Sequence, residues 1–297
     1  MAPMAQKTAK YFLSSLTQNT QKAYNKAWLE FDSYISKLDP WYPHVPINNG
    51  HVSFYITYLF DLGYSVATIS SKLSAITYMF QAQGKPDPVS SYFVKRLLVG
   101  LRKLRPQQDT RLPLTVAMLD QILTNVYKMG FTYYEQVMFR AIIALSFAAF
   151  LRPCEVTGSA NNLLIQNLIF NGDVMILQFT HYKHAAGKPF TLYINPTGKK
   201  FCPSKLMKRY LAMRGHYVGP LFCRLNGMPL SYSKFRDMFK TALAYLGLPG
   251  QMSLHSIRIG AATYAAACGV ADSVIKRWGR WRSDAYKNYI RLPTFQV

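Results

Sequence analysis

The sequence predicts a mainly helical fold with one small antiparallel β-sheet, divided into two domains. Three observations carry this. Apolar residues recur at helical spacing through most of the 297 residues. Strand-like alternation is confined to one stretch around the turn Asn171-Gly172-Asp173 and again at Phe190, Leu192 and Ile194. A polar segment with two prolines, RPQQDTRLP from Arg105 to Pro113, interrupts the helical pattern. The expected organisation is a helical domain over 1–104, a linker over 105–114 and a mixed α/β domain over 115–297.

Taken in order, residues 1–10 show no pattern and are expected to fray. Thr17 or Asn19 can cap the first helix, on which Tyr24, Trp28, Phe31 and Ile35 form an apolar stripe suited to core packing. The three prolines between Asp39 and Pro46 mark a loop. Further helices are expected over His51–Leu62, ended by Gly63, over Ser65–Gln83, ended by Gly84 and Pro86, and over Val89–Leu104. Beyond the linker, Thr115 caps another helix. The segment Tyr133–Phe150 has Arg140 as its only basic residue, so its helix is buried on most faces. It ends at Leu151-Arg152-Pro153, which puts Arg152 where a cation is expensive unless paired or functional. The β-stretch follows, with THYKHAAGK as its turn, then helices near Ser204–Arg214 and Tyr232–Leu246. The last fifth of the chain contains a small-residue helix from Leu254, broken at Gly269.

Composition narrows the function. Half the residues are hydrophobic, enough for a substantial core, and 35 Lys and Arg stand against 13 acidic residues. The net charge of +22 points to a polyanion, with nucleic acid the default and a membrane surface disfavoured because no basic amphipathic helix stands out. Residues 1–104 are net +6 and residues 105–297 net +16. Exposed basic side chains expected on DNA are Lys95, Arg96, Arg102, Lys103 and Arg105, then Lys234, Arg236 and Lys240 on a helix that also carries aromatics, and Arg280 and Arg282. Cys154, Cys202, Cys223 and Cys268 form no C-x-x-C pair, so zinc is not expected, and they fit buried thiols in a reducing compartment. No signal-peptide core or membrane-length apolar run occurs, which predicts a cytosolic or nuclear protein.

The chemistry concentrates near the C-terminus. His255 and Arg258, three apart on a helix, share a face. An imidazole and a guanidinium converging on one spot suit a phosphate, and a nearby tyrosine can attack it. Upstream lie Arg152, with Glu155 three residues on, and Lys183 in the hairpin turn, with Lys188 as an alternative and His181 and His184 as flanking turn residues. Tyr289 closes the chain's basic, aromatic run, with Tyr286 as a rival nucleophile.

This order resembles the tyrosine recombinases, or phage-type integrases, over nearly the whole chain. LSFAAFLRPCEVTG resembles the family's first box, LHSIRIGAATYAAACGV its second and RWGRWRSDAYKNYIR its third, while LTQNTQKAYNKAWLEFDSYI looks like the first helix of its core-binding domain. The resemblance implies a helical core-binding domain followed by a catalytic domain, and a covalent 3′-phosphotyrosine intermediate formed without metal or cofactor. By the same resemblance Arg152, Lys183, His255, Arg258, Trp281 and Tyr289 are catalytic, and Glu155 supports Arg152. The family's His or Trp normally lies about nine residues before the nucleophile, a position held here by Arg280; Trp281, eight before Tyr289, is taken as its match, with Arg280 as second choice. Double-stranded DNA and self-association into a tetramer on two duplexes are the implied partners. LRPCE and GRWRSDAYKNYIR look most like recombinases of eukaryotic mobile elements, which implies a nuclear location. Two rivals share these features: a type IB topoisomerase, and a non-catalytic DNA-binding protein derived from a recombinase.

Overall fold

The structure, a computed structural model, describes residues 2–39, 41–44, 46–106, 109–158, 162–180, 182, 188–198, 200–215 and 218–291. The chain divides into two compact units, Met1–Asp109 and Thr110–Val297.

The first unit is helical: α1 (Ala2–Leu13), α2 (Gln18–Leu38), α3 (Asn49–Asp61), α4 (Val66–Ala82) and α5 (Tyr92–Leu104). Side-chain oxygens cap four of these helices. Thr17 accepts the Thr20 N–H, Asn48 that of His51, Ser65 that of Thr68 and Ser91 that of Val94. The core joins Phe31 and Ile35 of α2 to Val52, Tyr55 and Ile56 of α3, Ile69 and Ile76 of α4 and Val94 of α5. Each such apolar side chain contributes about 1.5–3 kcal/mol when fully buried. Two expectations change. Residues 2–10 are helical: they lie in α1, whose Ala, Met, Gln and Lys favour helix, and Phe12 stacks on Tyr78 with ring centroids 5.7 Å apart. The last helix starts at Tyr92 instead of Val89, because Asp87 accepts the Val89 N–H in a turn and Ser91 provides the cap.

The second unit is built around α7 (Tyr133–Ala148), which follows α6 (Val116–Asn125) and opens with a reciprocal cap between Thr132 and Glu135. Its near-continuous apolar sequence is explained by burial on most sides, including packing against two later helices, α9 (Pro203–Arg214) and α11 (Leu254–Ala267). Between them come the single turn α8 (Pro153–Val156) and an antiparallel sheet of β1 (Leu168–Asn171), β2 (Val174–Phe179) and β3 (Phe190–Ile194), in that order. Leu177 faces Leu168 on one side and Leu192 on the other, and Phe179 faces Phe190. Met175, Leu177 and Phe179 alternate inward, so the sheet covers one side of the core. Helix α10 (Tyr232–Tyr245) adds Phe235 and Phe239 to the same core. After α11 the chain forms α12 (Asp272–Trp278) and a 3-10 helix, Asp284–Tyr289.

One close approach fixes where α11 lies. The Leu114 N–H donates to the Ser256 carbonyl at 2.9 Å, and a Cβ placed on Gly260 would stand 1.9 Å from the Leu114 oxygen. Gly260 therefore permits the segment before α6 to cross α11 directly beside His255 and Arg258. Of the four cysteines Cys202 and Cys223 are buried; Cys154 and Cys268 are exposed, which corrects the expectation for those two. Among the described residues no helix is long and apolar enough to cross a membrane.

Candidate active site

The site begins where α7 ends. Phe150 adopts φ +52°, a left-handed conformation that costs a residue with a Cβ about 1–3 kcal/mol. The turn sends the chain into Leu151, Arg152 and α8, with Pro153 at the first helical position, where its missing N–H costs nothing. Glu155, one turn on, is 1% exposed. Its Oε2 accepts the Arg152 backbone N–H at 2.8 Å and its Oε1 accepts from the Arg152 guanidinium at 3.1 Å. Glu155 thus orients both the main chain and the side chain of Arg152.

Helix α11 brings His255 and Arg258. Arg258 is wholly buried, and its guanidinium donates to the carbonyls of Phe150 and Gly279. The same group lies 4.1 Å from the centre of the Trp281 ring and 5.7 Å from that of Tyr289. Its Nε is buried with no hydrogen-bond partner among the described residues. Burial, with the charges of Arg152 and Arg280 beside it, pushes Arg258 well below the ordinary arginine range. A guanidinium does not lose its proton here, so this shift registers electrostatic cost. The carboxylate of Glu155 pairs with Arg152 and Arg280 and feels the charge of Arg258 as well, and the local excess of positive charge would be relieved by an anion.

Tyr289 ends the 3-10 helix and meets His255: Nε2 and the phenol oxygen share a hydrogen bond of 3.1 Å. Thr263 fixes the backbone there, donating to the Tyr289 carbonyl at 3.1 Å and accepting the Arg291 N–H at 3.0 Å. Thr263 was not singled out from the sequence. The available signal was spacing, since it lies eight residues after His255 on the same helical face. The rival tyrosine faces elsewhere. Tyr286 is buried, donates to Asp272 Oδ2 at 2.7 Å, and is pushed up to about 12 by that hydrogen bond.

Trp281 packs with its ring centre 5.1 Å from that of Tyr289, and it lies directly over Gly279, where a Cβ would come within 1.6 Å of the indole. Arg280 is different. Expected as a DNA contact and as second choice for the His/Trp position, it is 6% exposed and faces inward. It donates to Glu155 Oε2 at 2.7 Å and lies 4.0 Å from the centre of the Phe179 ring. The cause is its backbone: φ +55° after Gly279 turns the side chain into the protein. Arg280 is therefore corrected on both counts, to a buried partner of Glu155. The carboxyl of Glu155 feels burial pushing it up, but Arg280, Arg152 and Arg258, together with the Arg152 N–H, outweigh this and hold it below its ordinary value.

The structure thus brings together Arg152, Glu155, His255, Arg258, Trp281 and Tyr289. Lys183, His181 and His184 lie outside the described residues, and Lys188 is exposed just before β3. Of the expected DNA contacts, Lys95, Arg96, Arg102, Lys103, Lys240 and Arg282 are exposed. Arg105 is exposed but packs 4.1 Å from the Phe60 ring centre and donates to its carbonyl. On α10, Lys234 pairs with Glu135 at 2.6 Å and Arg236 with Asp237 at 2.9 Å.

No protein-family model and no curated protein sequence matches this chain. Solved structures do. The Tn1549 transposon integrase in complex with circular intermediate DNA matches with a TM-score of 0.67 at 16% identity, over 97% of this chain and 94% of that one. The XerH site-specific recombinase bound to difH substrate, a pre-cleavage complex, matches with a TM-score of 0.66 at 16% identity, over 93% of this chain and 76% of that one. A lambda integrase dimer bound to a COC′ core site gives 0.63 at 14% identity, over 96% and 75%. The chain has the fold of the tyrosine recombinases and integrases.

Proposed function

We propose that this protein is a site-specific DNA recombinase that cuts and rejoins strands through Tyr289, in the service of integrating or excising a mobile element. The observation that carries this reading is the hydrogen bond between Tyr289 and His255, made beside the buried guanidinium of Arg258. The phenol oxygen attacks the scissile phosphorus, its proton passing to His255. The P–O5′ bond breaks, leaving a 3′-phosphotyrosine and a 5′-hydroxyl, and Lys183 supplies the proton to the departing oxygen. Arg152 and Arg258 hold the non-bridging oxygens as charge builds on them, and Trp281 adds its indole N–H. The phosphodiester energy is kept in the covalent link, so religation needs no external source. Three solved proteins of the same fold are DNA complexes, one of them a transposon integrase, which supports both the substrate and the setting.

The basic side chains on α5, together with Lys234, Arg236, Lys240 and Arg282, follow the DNA backbone. The working unit is a tetramer on two duplexes. The affinity with eukaryotic mobile elements, and the nuclear location that goes with it, rest on LRPCE and GRWRSDAYKNYIR alone.

A nicked duplex that traps the covalent intermediate tests the proposal, offered as a pool of sequences because the target is unknown. Wild type is expected to form a protease-sensitive adduct and Tyr289→Phe none. An adduct that survives Tyr289→Phe would overturn the choice of nucleophile, and tight binding with no adduct would leave a DNA-binding protein without catalysis. Relaxation of supercoiled DNA with no strand exchange would instead make the protein a topoisomerase.

A further inference from the structure

The buried Arg280 has no place in the mechanism above, yet it is among the most heavily anchored side chains of the site. It donates to the carbonyls of Ala149 and Trp278 at 3.3 and 3.0 Å and to that of Phe150 at 3.4 Å, besides Glu155. Its side chain and that of Glu155 are each 1% exposed, whereas that of Arg152 is 14% exposed. Glu155 is therefore one carboxylate between two arginines. One of them, Arg280, is held from four sides and cannot swing out. The other, Arg152, is the more exposed and, among the described residues, is held through its guanidinium by one contact with Glu155.

We infer that Arg280 is a positioning residue that engages half of the Glu155 carboxylate, so that Arg152 is oriented by Glu155 without being captured by it. The distances divide the carboxylate in this way. Oε2 takes Arg280 at 2.7 Å and the Arg152 N–H at 2.8 Å, while Oε1 alone takes the Arg152 guanidinium, at 3.1 Å. With Arg280 removed, both oxygens would be open to Arg152. A two-pronged guanidinium–carboxylate pair would form in a poorly solvated place, where such pairs are strongest, and it would compete with the phosphate for the same donors. The inference rests on the proposed recombinase reading for its reaction, but not for its anion.

It leads to a rescue that simple structural support does not predict. Arg280→Met should slow single-turnover adduct formation on a saturating nicked duplex by about 100-fold, the scale expected when a reacting group is misplaced by a remote change. DNA affinity should stay near that of wild type, because the exposed cations that dominate it are untouched. Adding Glu155→Gln removes the competing charge, and the double variant should recover at least about tenfold over Arg280→Met. Arg280→Lys keeps a charge beside Oε2 and should retain most of the rate.

A double variant no faster than Arg280→Met would overturn the inference, as would an Arg280→Lys protein that is folded but as slow as Arg280→Met. If Arg280→Met fails to fold, Arg280→Lys and the double variant decide alone: both should cleave, and a folded but inactive protein in either case overturns the inference. A second arm does not need catalysis. Inorganic phosphate should raise the melting temperature of wild type and of the double variant, and raise that of Arg280→Met less. If wild type forms no adduct but shows this pattern, the recombinase reading fails and the inference stands. If phosphate has no effect on wild type, the inference fails.

Discussion

The cations of α5 and those of the site are of the same residue types and differ in almost everything else. Lys95, Arg96, Arg102 and Lys103 are exposed and make no ion pair among the described residues. Water solvates them, so they cost the fold little, and nothing local specifies which anion they meet. Arg258 and Arg280 are nearly or wholly buried, and their charge is balanced by one carboxylate and a set of backbone carbonyls. The first arrangement suits any polyanion at long range. The second is costly without an anion and is therefore selective in position: on the proposed function, it favours one phosphate, at one place, beside one tyrosine. The comparison teaches that total charge locates the class of partner, while buried charge locates the chemistry.

The strongest way to break this contrast is to remove the carboxylate that makes the buried cations tolerable. Glu155→Ala leaves the buried charge of Arg280 with backbone carbonyls but no carboxylate, and a destabilisation of about 3–5 kcal/mol is expected, read by urea or thermal unfolding. Glu155→Gln, which keeps the shape, should cost less. The pH dependence has a definite sign. Because the carboxyl of Glu155 is held below its ordinary value near 4.5, its contribution is fully present above that value and is lost as pH falls through the folded-state value. The stability gap between wild type and Glu155→Gln should therefore be constant near neutrality and shrink on acidification below about 4.5. A gap that widens in acid would refute the pairing.

A milder perturbation acts on the ring that covers the buried cation. A methyl group on Gly279 would collide with the Trp281 indole, and a real protein must answer by displacing the ring from Arg258. Gly279→Ala should cost about 1–3 kcal/mol as overpacking and should slow adduct formation, because the ring also contacts Tyr289. Retention of full activity and stability would show that the Trp281 position is not constrained by this contact.

Much of this was legible in the sequence, and the exceptions have physical causes. His255 and Arg258 could be paired because three residues is nearly one helical turn, and α11 is regular there. The apolar run of α7 announced its burial. The pattern NYIR favoured Tyr289 over Tyr286, and the hydrogen bond from Tyr286 to Asp272, which comes from a different helix and could not be read from the sequence, is consistent with that preference. Arg280 was misread because sequence spacing assumes regular backbone, and a left-handed residue after Gly279 reverses the direction in which its side chain points. Phe150 was invisible for a related reason: its contribution is a carbonyl oxygen aimed at Arg258 and Arg280, and any residue type carries one. On α10 the basic residues were readable, but not that Lys234 and Arg236 already have acidic neighbours.

That last difference gives the smallest and sharpest test. If exposed charge acts only through counterion release, each unpaired cation that contacts a phosphate contributes about one unit to the slope of log affinity against log salt. Lys95→Ala and Arg96→Ala should each lower that slope by about one while leaving the rate of adduct formation at saturation unchanged. Lys234→Ala should lower it by less, because binding must first separate Lys234 from Glu135 and the released carboxylate then opposes the phosphate. Titrations at four or five salt concentrations read all three slopes. Equal slopes for Lys95→Ala and Lys234→Ala would mean that the surface ion pair is too weak to matter in water, and that exposed cations on the two helices are interchangeable. A slope unchanged by Lys95→Ala and Arg96→Ala would remove α5 from the DNA path and leave the second unit, with its larger share of the net charge, to hold the duplex.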